Sequence, residues 1–350
     1  MKGLDCRLRA MASIGWQDLC TILLTSPAGQ RILSGGIAVD LRQVMMRAVL
    51  PDAMVVDIGL GWIGFKKMQD VSLPMSDRMP SLSPSLLVKA FSPRRLFGFI
   101  RGVVGDVKFL MRTYAPAGVF IKYLEGRLIR SRVIARYSDQ AEAFTATAAQ
   151  LSLSTRWFMD NVSHWLDIFD KYRLSDRPGI EALEIGSWEG LSAFFLLNLL
   201  PKARITCVDT WEGADEHKAE DSETGPDALS GSEAAFDRNL SRFQGRVEKF
   251  KGTSYQYFKS VPDRQRFDLV YVDGSHHCDD VIVDAVKSFE ALKVGGLMIF
   301  DDYFWFYYPR VIDNPAAAIN AFLRLKAGSY RLVSVSQQLV IEKTADRYAS

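Results

Sequence analysis

The sequence of 350 residues predicts an α/β fold built on a mostly parallel sheet. In its second half, short apolar runs alternate with helical patterns and brief polar connections, which is typical of a parallel sheet covered by helices on both faces. The first run leads into a glycine turn at 183–190, Leu-Glu-Ile-Gly-Ser-Trp-Glu-Gly, and the second ends on Asp209. In an open α/β sheet, a glycine turn followed by an acid-ended strand indicates a nucleoside-binding site.

Five parallel strands and a closing hairpin follow from this pattern. We predict parallel strands over 181–186, 204–209, 247–252, 267–273 and 296–301. We predict helices over 190–200, 231–243, 253–260, 277–292 and 313–326. The last two apolar runs, 330–336 and 339–343, are separated by a Gln-Gln turn, so the sheet is expected to finish with an antiparallel hairpin. Residues 212–232 are polar and predict a solvated loop or a lid over the bound nucleoside.

The front half is interpreted as a separate region, 1–150, which is basic and mainly helical, followed by a domain over 151–350. Helical patterns occur at 16–25, 39–50, 92–114, 117–136 and 139–150. A Pro/Ser-rich stretch at 72–86 indicates a linker or loop. Residues 55–64 contain a formal G-x-G-x-x-G, but no acid-ended strand follows about 20 residues later, so we interpret it as a chance match.

Charge is distributed unevenly along the chain. Residues 1–150 carry 20 Lys/Arg and 11 Asp/Glu, whereas residues 151–350 carry 23 and 30. The segment 91–136 mixes basic and apolar residues, a composition that suits contact with an anionic membrane surface. A helix that packs on its own domain and keeps a solvated basic face is the alternative. We expect no nucleic-acid partner and leave a homo-oligomer open.

The cysteines and the apolar runs bear on the compartment. Cys6, Cys20, Cys207 and Cys278 lack the paired spacing of a zinc site or a disulfide framework, so reduced thiols are expected. No run of 18 apolar residues predicts a transmembrane helix, and the first residues do not resemble a signal peptide. The expected location is therefore the cytoplasm, with peripheral attachment at the inner membrane surface as the alternative.

Two acids flank the glycine turn. A dinucleotide site keeps its turn neutral, so that a helix N-terminus can receive the pyrophosphate. Glu184 and Glu189 would repel that phosphate. They suit a positively charged nucleoside such as S-adenosylmethionine, and an NAD-dependent oxidoreductase is the least favoured function.

Three further acids follow the later strands. Asp273 ends the fourth strand, and Asp301 and Asp302 follow the fifth. Because the carboxyl ends of parallel strands share one edge, these carboxylates are expected to converge. A hard cation such as Mg²⁺ would balance their charge. The alternative is that Asp302 caps a turn while Asp273 remains solvated.

Together these motifs carry a family resemblance. Residues 155–343 resemble the class I S-adenosylmethionine-dependent methyltransferases, and among them the metal-dependent O-methyltransferases related to the catechol, caffeoyl-CoA and macrocin enzymes. The matching motifs are the turn at 184–190, the Cys-Val-Asp ending at Asp209, Asp-Gly-Ser-His-His at 273–277, and Gly-Gly at 295–296 before Asp-Asp-Tyr. Asp273 and Asp301 are 28 positions apart, which matches the metal-ligand spacing of the catechol type.

The resemblance implies roles for individual residues. The implied cofactor-binding residues are Glu184, Gly186, Ser187 and Gly190 at the turn, Asp209 at the ribose, Trp211 beside the adenine, and Thr253, Ser254 and Tyr255 at the adenine edge. The implied Mg²⁺ ligands are Asp273, Asp301 and Asp302. His276 takes the position of the general base, with capping of the next helix as the alternative.

The implied activity is transfer of a methyl group from S-adenosylmethionine to a hydroxyl of a small molecule or glycan. The aromatic residues at 305–308 would stack on the acceptor. We expect either a lid or core packing for Trp157, Phe158 and Trp165. Three acids of the next helix are expected to be solvated or to stabilise its N-terminus: Asp279, Asp280 and Asp284. The sequence departs from the catechol type by Asp-Asp-Tyr in place of Asp-Asn, and residues 1–150 match no known pattern. A non-catalytic scaffold and a related metal-dependent enzyme without methyl transfer stay open as alternatives.

Overall fold

The computed structural model describes residues 54–59, 62–67, 93–214, 218, 226–261 and 264–346. Contacts divide the chain between Pro80 and Ser81 into two units, each of which is described by itself. The helices predicted at 16–25 and 39–50, the linker predicted at 72–86 and residues 215–217 and 219–225 of the predicted loop lie outside the described residues. Residues 226–232, which were predicted as part of that loop, belong to a helix that begins at Pro226.

The described part of the first unit is a hairpin. Strands β1 (Met54–Gly59) and β2 (Trp62–Lys67) pair antiparallel, with Gly59 opposite Trp62. The formal G-x-G-x-x-G therefore spans two paired strands and does not connect a strand to a helix. Because a pyrophosphate site needs the helix N-terminus, this geometry does not form one.

The second unit is built on a seven-stranded sheet. Its strands are β3 (Ile180–Ile185), β4 (Ala203–Asp209), β5 (Val247–Lys251), β6 (Phe267–Val272), β7 (Leu292–Phe300), β8 (Tyr330–Val335) and β9 (Leu339–Lys343). The strand order is β5-β4-β3-β6-β7-β9-β8. Strands β3 to β7 pair in parallel, and β9 runs antiparallel to both β7 and β8. The predicted fold class is confirmed.

One strand begins earlier than the sequence predicts. Strand β7 starts at Leu292, which pairs with Phe267, and the register then shifts before Leu297 pairs with Leu269. Gly295 lies within this irregularity with φ of +81°. A glycine accommodates such a bulge because it adopts positive φ without a Cβ clash. The strand predicted over 296–301 therefore begins four residues earlier and contains both Gly295 and Gly296.

Helices cover both faces of the sheet. The described helices of this unit are α1 (Pro93–Arg112), α2 (Ala117–Arg136), α3 (Ser138–Ala148), α4 (Val162–Lys171), α5 (Leu191–Leu199), α6 (Pro226–Leu240), α7 (Ser254–Ser260), α8 (Cys278–Ala291) and α9 (Pro315–Leu325). Alternate strand residues face opposite ways: Ala182 joins the core that contains Phe194, whereas Leu183 joins the core that contains Phe322. This is the pattern of a sheet buried on both faces.

The predicted division at 150 and 151 differs from the structure, which keeps 81–350 as one unit. Helix α2 lies on strand β8, and Asn320 of α9 donates to the carbonyl of Thr113 at 3.2 Å. The antiparallel hairpin extends the sheet, and α2 covers the surface that this extension adds. The predicted boundary at 150 follows the change from a basic to an acidic composition. Charge describes the surface that faces solvent and does not show where a helix packs. Among the described helices, none has the length and hydropathy that a membrane span requires.

The contact between α2 and β8 depends on a glycine, which gives a test. A Cβ at Gly126 would lie 2.6 Å from the carbonyl oxygen of Val335. We expect Gly126→Ala to lower the free energy of unfolding by about 1–3 kcal/mol, because helix and strand must separate. Gly105→Ala in α1 is the matched control, since a Cβ there meets nothing within 4 Å. It should raise stability by up to about 1 kcal/mol through helix propensity. Urea unfolding measures both changes, and equal midpoints would contradict this packing.

Candidate active site

The predicted site residues lie at one edge of the sheet. Strands β4 and β5 lie on one side of β3, and β6 and β7 lie on the other, so the topological switch point falls between β3 and β6. Ligands of open α/β sheets bind in the crevice beyond the carboxyl ends of the strands at such a point. Gly186 follows β3, Asp209 ends β4, Asp273 follows β6 and Asp301 follows β7.

The glycine turn requires both of its glycines. Gly186 has φ of +83°, and a Cβ there would lie 1.9 Å from the carbonyl oxygen of Asp273. Gly190 has φ of +79° and lies against the ring of Phe236, which would be 3.0 Å from an added Cβ. The turn is therefore fixed by close packing against β6 and α6, where no larger residue fits.

The two acids of the turn do not line the crevice as the sequence suggested. Glu184 is 1% exposed, and Ser192 donates to its Oε1 at 2.6 Å. Burial raises the pKa of Glu184 to about 7. Glu189 is also buried, and its Oε2 accepts from the backbone N–H of Ser154 at 2.7 Å. Because both side chains serve the fold, the argument that they repel phosphate does not hold, and Glu184 is not placed against the methionine side of a cofactor.

Asp209 ties the end of β4 to the glycine turn. Its Oδ2 accepts from the backbone N–H groups of Ser187 and Trp188 at 2.7 and 2.8 Å. Its Oδ1 accepts from the backbone N–H of Trp211 at 2.7 Å. A carboxylate accepts about four hydrogen bonds, so one position remains for a ribose hydroxyl. The ribose role stays a prediction.

Trp211 packs in the core. It is 6% exposed, and its indole N–H donates to the carbonyl of Trp188 at 2.8 Å. Phe236 meets the ring edge-on at 5.1 Å, and Lys249 Nζ lies 4.7 Å from the ring centroid. These contacts account for the burial of Trp211, and its expected place beside an adenine stays a prediction.

The segment after β5 starts helix α7. The side chain of Thr253 accepts from the backbone N–H of Gln256 at 3.2 Å, and Gln256 Oε1 accepts from the N–H of Thr253 at 2.8 Å. Thr253 is thus the N-cap of a capping box, which is a structural role. Ser254 is half-buried and Tyr255 is exposed at the same edge of the sheet. Their predicted contact with the adenine remains a prediction.

The sequence missed one acid near this segment. Asp284 of α8 was expected to be solvated or to stabilise the helix N-terminus, but it is buried beside Ser254, and burial raises its pKa to about 7. Its spacing carries the missed signal. The buried positions of α8 recur every three or four residues and are Val281, Asp284, Ala285, Ser288, Phe289 and Ala291. That interval places Asp284 on the inward face of the helix.

Three side chains converge after β6 and β7. Asp273, His276 and Asp302 each offer one ligand atom, and these atoms lie within 4.8 Å of one another. His276 Nε2 is 2.9 Å from Asp302 Oδ2. Burial, together with the charges of Asp301 and Asp302, raises the pKa of Asp273 well above its usual value. Like charges this close oppose ionisation, and a divalent cation would relieve their repulsion.

Asp301 stands outside this group, although the sequence predicted it as a third metal ligand. Its Oδ2 accepts from the hydroxyl of Tyr271 and from Gln338 Nε2, the latter at 3.1 Å. Its Oδ1 accepts from the backbone N–H of Asp302 at 2.8 Å. The indole N–H of Trp165 in turn donates to Gln338 Oε1 at 2.8 Å. The structure therefore groups His276 with the two other acids and holds Asp301 in a buried hydrogen-bond network.

Aromatic rings border the three converging side chains. His276 lies 4.6 Å from Trp305, and His277 stacks on Tyr308 at 4.2 Å, centroid to centroid. Trp305 also stacks on Tyr307 at 5.4 Å. Of the aromatics before β3, Trp165 and Phe158 are buried in the core, whereas Trp157 is exposed. The packing alternative thus holds for Trp165 and Phe158.

The segment from the glycine turn to the acids after β7 is similar to a known family. Residues 183–303 match the model described as a methyltransferase domain. This part of the chain is similar to a methyltransferase domain, which agrees with the predicted resemblance to methyltransferases. The use of S-adenosylmethionine belongs to the proposed function. No curated protein matches the chain.

Solved structures of methyltransferases are similar to the chain at low identity. A Staphylococcus aureus protein provisionally assigned as a caffeoyl-CoA O-methyltransferase is 15% identical, with a TM-score of 0.40, over 62% of this chain and all of that one. TomG, an O-methyltransferase from Streptomyces achromogenes solved with S-adenosylmethionine, is 14% identical, with a TM-score of 0.38, over 58% of this chain and 96% of that one. MycE, a methyltransferase solved with Mg, S-adenosylhomocysteine and mycinamycin VI, is 17% identical, with a TM-score of 0.39, over 63% of this chain and 56% of that one. At these values neither acceptor nor metal carries over.

The burial of Glu184 predicts how stability depends on pH. Burial raises the pKa of Glu184 from its ordinary value of 4.5 to about 7 in the folded domain, so the folded state holds the proton over that interval. Glu184 should therefore contribute a fall in stability of up to about 3 kcal/mol as the pH rises from 4.5 to above 7. Glu184→Gln should remove this contribution, because the amide resembles the protonated acid. The part of the fall that comes from buried Asp284, whose pKa is also raised to about 7, should remain.

Urea unfolding at several pH values measures the effect. Glu181→Gln is the matched control, since Glu181 is only half-buried on the same strand. It should leave the pH dependence as in the unchanged protein. A Glu184→Gln protein that loses as much stability over this pH range as the unchanged protein would contradict the assignment.

Proposed function

We propose that the protein transfers the methyl group of S-adenosylmethionine to a hydroxyl of a small molecule or glycan, assisted by Mg²⁺. The observation that supports this most strongly is the convergence of Asp273, His276 and Asp302 beside the glycine turn of a methyltransferase domain. A carboxylate pair with an adjacent imidazole supplies what oxygen methylation needs, which is a place for a cation and a proton acceptor.

The proposed cofactor site is the crevice at the ends of β3, β4 and β5. S-adenosylmethionine supplies a methyl group that leaves its sulfonium by in-line displacement. Gly186, Ser187 and Gly190 form the turn that a cofactor would approach, and Asp209 keeps one acceptor position for a ribose hydroxyl. Such a displacement depends on holding donor and acceptor at a fixed separation. The close packing around Gly186 suits that demand.

The proposed metal ligands are Asp273 and Asp302. Mg²⁺ prefers oxygen ligands and keeps several waters, so two carboxylates with water would satisfy it. When bound, the ion would orient the acceptor oxygen and favour its deprotonated form. Asp301 then acts through its hydrogen bond to the N–H of Asp302, which fixes the turn that carries the ligand.

His276 is the proposed general base. Its Nε2 is 2.9 Å from Asp302, so the imidazole and the proposed ligand occupy the same side of the crevice. The ring of Trp305 packs against the imidazole and limits its rotation. A base positioned in this way contributes about 10²–10⁴-fold to a proton-transfer step.

The acceptor is proposed to be a ring compound with adjacent hydroxyls. Trp305, Tyr307 and Tyr308 form the aromatic border next to His276 and His277, and Phe306 is exposed beside them. Aromatic side chains stack on flat rings and cover the apolar faces of sugars. Adjacent hydroxyls would chelate the cation, so polyphenols and sugar diols both fit.

Calorimetry with the full chain tests the cofactor. We expect binding of S-adenosylmethionine and S-adenosylhomocysteine and no binding of NAD, because residues 183–303 match a methyltransferase domain. Binding of NAD alone, or failure of both sulfur nucleosides to bind, would overturn the proposed function.

Mg²⁺ titration into acid variants tests the metal site. Asp273→Asn and Asp302→Asn should abolish measurable binding, because each removes a proposed ligand. Asp301→Asn makes the same substitution at the position next to Asp302 and is the matched control. It should weaken binding by only about 10-fold, as expected for a residue that supports a ligand. If Asp301→Asn weakens Mg²⁺ binding more than the other two substitutions do, Asp301 binds the ion and the proposed set of ligands is wrong.

Substitution of the two histidines tests the base. His276→Ala should lower the turnover of a polyphenol or glycoside panel by about 10²–10⁴-fold. Its residual rate should rise with pH, since hydroxide replaces the missing base. His277→Ala is the matched control, because His277 stacks on Tyr308 outside the converging group. Equal rates for the two variants would remove His276 from the chemistry.

A further inference from the structure

Helices α1 and α2 present a surface that the methyltransferase chemistry does not use. We define the basic helical surface as the solvent-facing side chains between Arg101 and Arg136. It combines exposed apolar residues with exposed basic residues, and it belongs to the same unit as the sheet.

The apolar part of this surface follows helical spacing. On α2, Ile121 and Leu124 are 43% and 38% exposed, and half-buried Leu128 continues the same stripe. The opposite side of the helix buries Val119 and Tyr123. Helix α2 is therefore apolar toward the sheet and again toward solvent. Other exposed apolar residues on the surface are Val104, Met111, Tyr114, Ile129 and Ile134.

The charge of this surface has one sign. Residues 101–136 contain eight Lys/Arg and two Asp/Glu. Both acids already have partners, since Asp106 accepts from the hydroxyl of Tyr123, and Glu125 lies 2.7 Å from Lys122. The exposed basic residues are Arg101, Lys108, Arg112, Arg130, Arg132 and Arg136. Only Arg136 of these six has an ion pair within the described part of the chain, with Asp170 at 2.9 Å.

Apolar stripes exposed in this way mark interaction sites. A second copy of the chain would bring basic residues against basic residues, which opposes association. An anionic lipid surface complements both properties, because its headgroups attract Lys and Arg while apolar side chains enter the acyl boundary. We propose that the basic helical surface binds anionic phospholipid membranes peripherally.

The proposed contact would hold the catalytic unit itself at the membrane. Helix α2 lies directly on β8, and Gly126 allows the close approach. The rings of Phe109 and Tyr123 also lie 5.6 and 5.4 Å from the ring of Phe304, two residues after Asp302. Membrane contact is thus made by helices packed on the domain and not by a tethered tail.

Vesicle flotation with the full chain tests the proposal. Vesicles of phosphatidylcholine with phosphatidylglycerol should carry the protein at low salt, and vesicles of phosphatidylcholine alone should not. Binding should fall in about 1 M salt, where charges are screened beyond roughly 3 Å. The double variants Ile121→Gln with Leu124→Gln, and Arg130→Gln with Arg132→Gln, should each lower the bound fraction at least about fivefold, because each removes one of the two attractions.

Matched variants distinguish this surface from general stickiness. Val294→Gln with Leu325→Gln removes exposed apolar residues elsewhere, and Lys259→Gln with Arg264→Gln removes exposed basic residues elsewhere. Both controls should float like the unchanged protein. Equal flotation with neutral vesicles, or helix variants that bind as well as the controls, would overturn the proposal. So would sedimentation showing a dimer that the helix variants dissociate, since the surface would then bind a second copy.

Discussion

The close approach of the β3 turn to the end of β6 sets the geometry of the whole site. The Asp273 carbonyl occupies the space where a side chain at Gly186 would begin, and the N–H of Asp273 donates to the carbonyl of Ile185 at 2.8 Å. Backbone contacts alone therefore join the proposed cofactor turn to the first acid of the converging group. Methyl transfer needs donor and acceptor at a constant separation, and rigid main chain provides it better than mobile side chains.

The sheet could be predicted from the sequence because its physical signals are local. Strands buried on both faces are apolar runs, and their connections are short and polar, so each strand and helix of 180–343 has its own pattern. Helix α2 was predicted at its observed bounds for the same reason. Where α1 to α3 pack was not predictable, since the partner of α2 is β8, about 200 residues later.

Strand ends located the site, but side-chain direction did not follow from the sequence. Glu184 turns into the core because Ser192, in the first turn of α5, donates its hydroxyl to the carboxylate. Asp301 stays outside the converging group because Gln338 donates to it from the final hairpin. Trp211 is buried for a similar reason, with Lys249 across its ring. The topology of the fold brings each of these partners close, and a short sequence motif does not show which distant residues will be neighbours.

The contacts of Phe304 show how far the folded unit extends beyond the residues that match the family. Its ring packs against the rings of Phe109 and Tyr123, and both of these residues precede the segment that matches the methyltransferase family. A protein that began at residue 183 would lose both of these ring contacts. The folded unit around Asp302 therefore extends beyond the residues that match the family model.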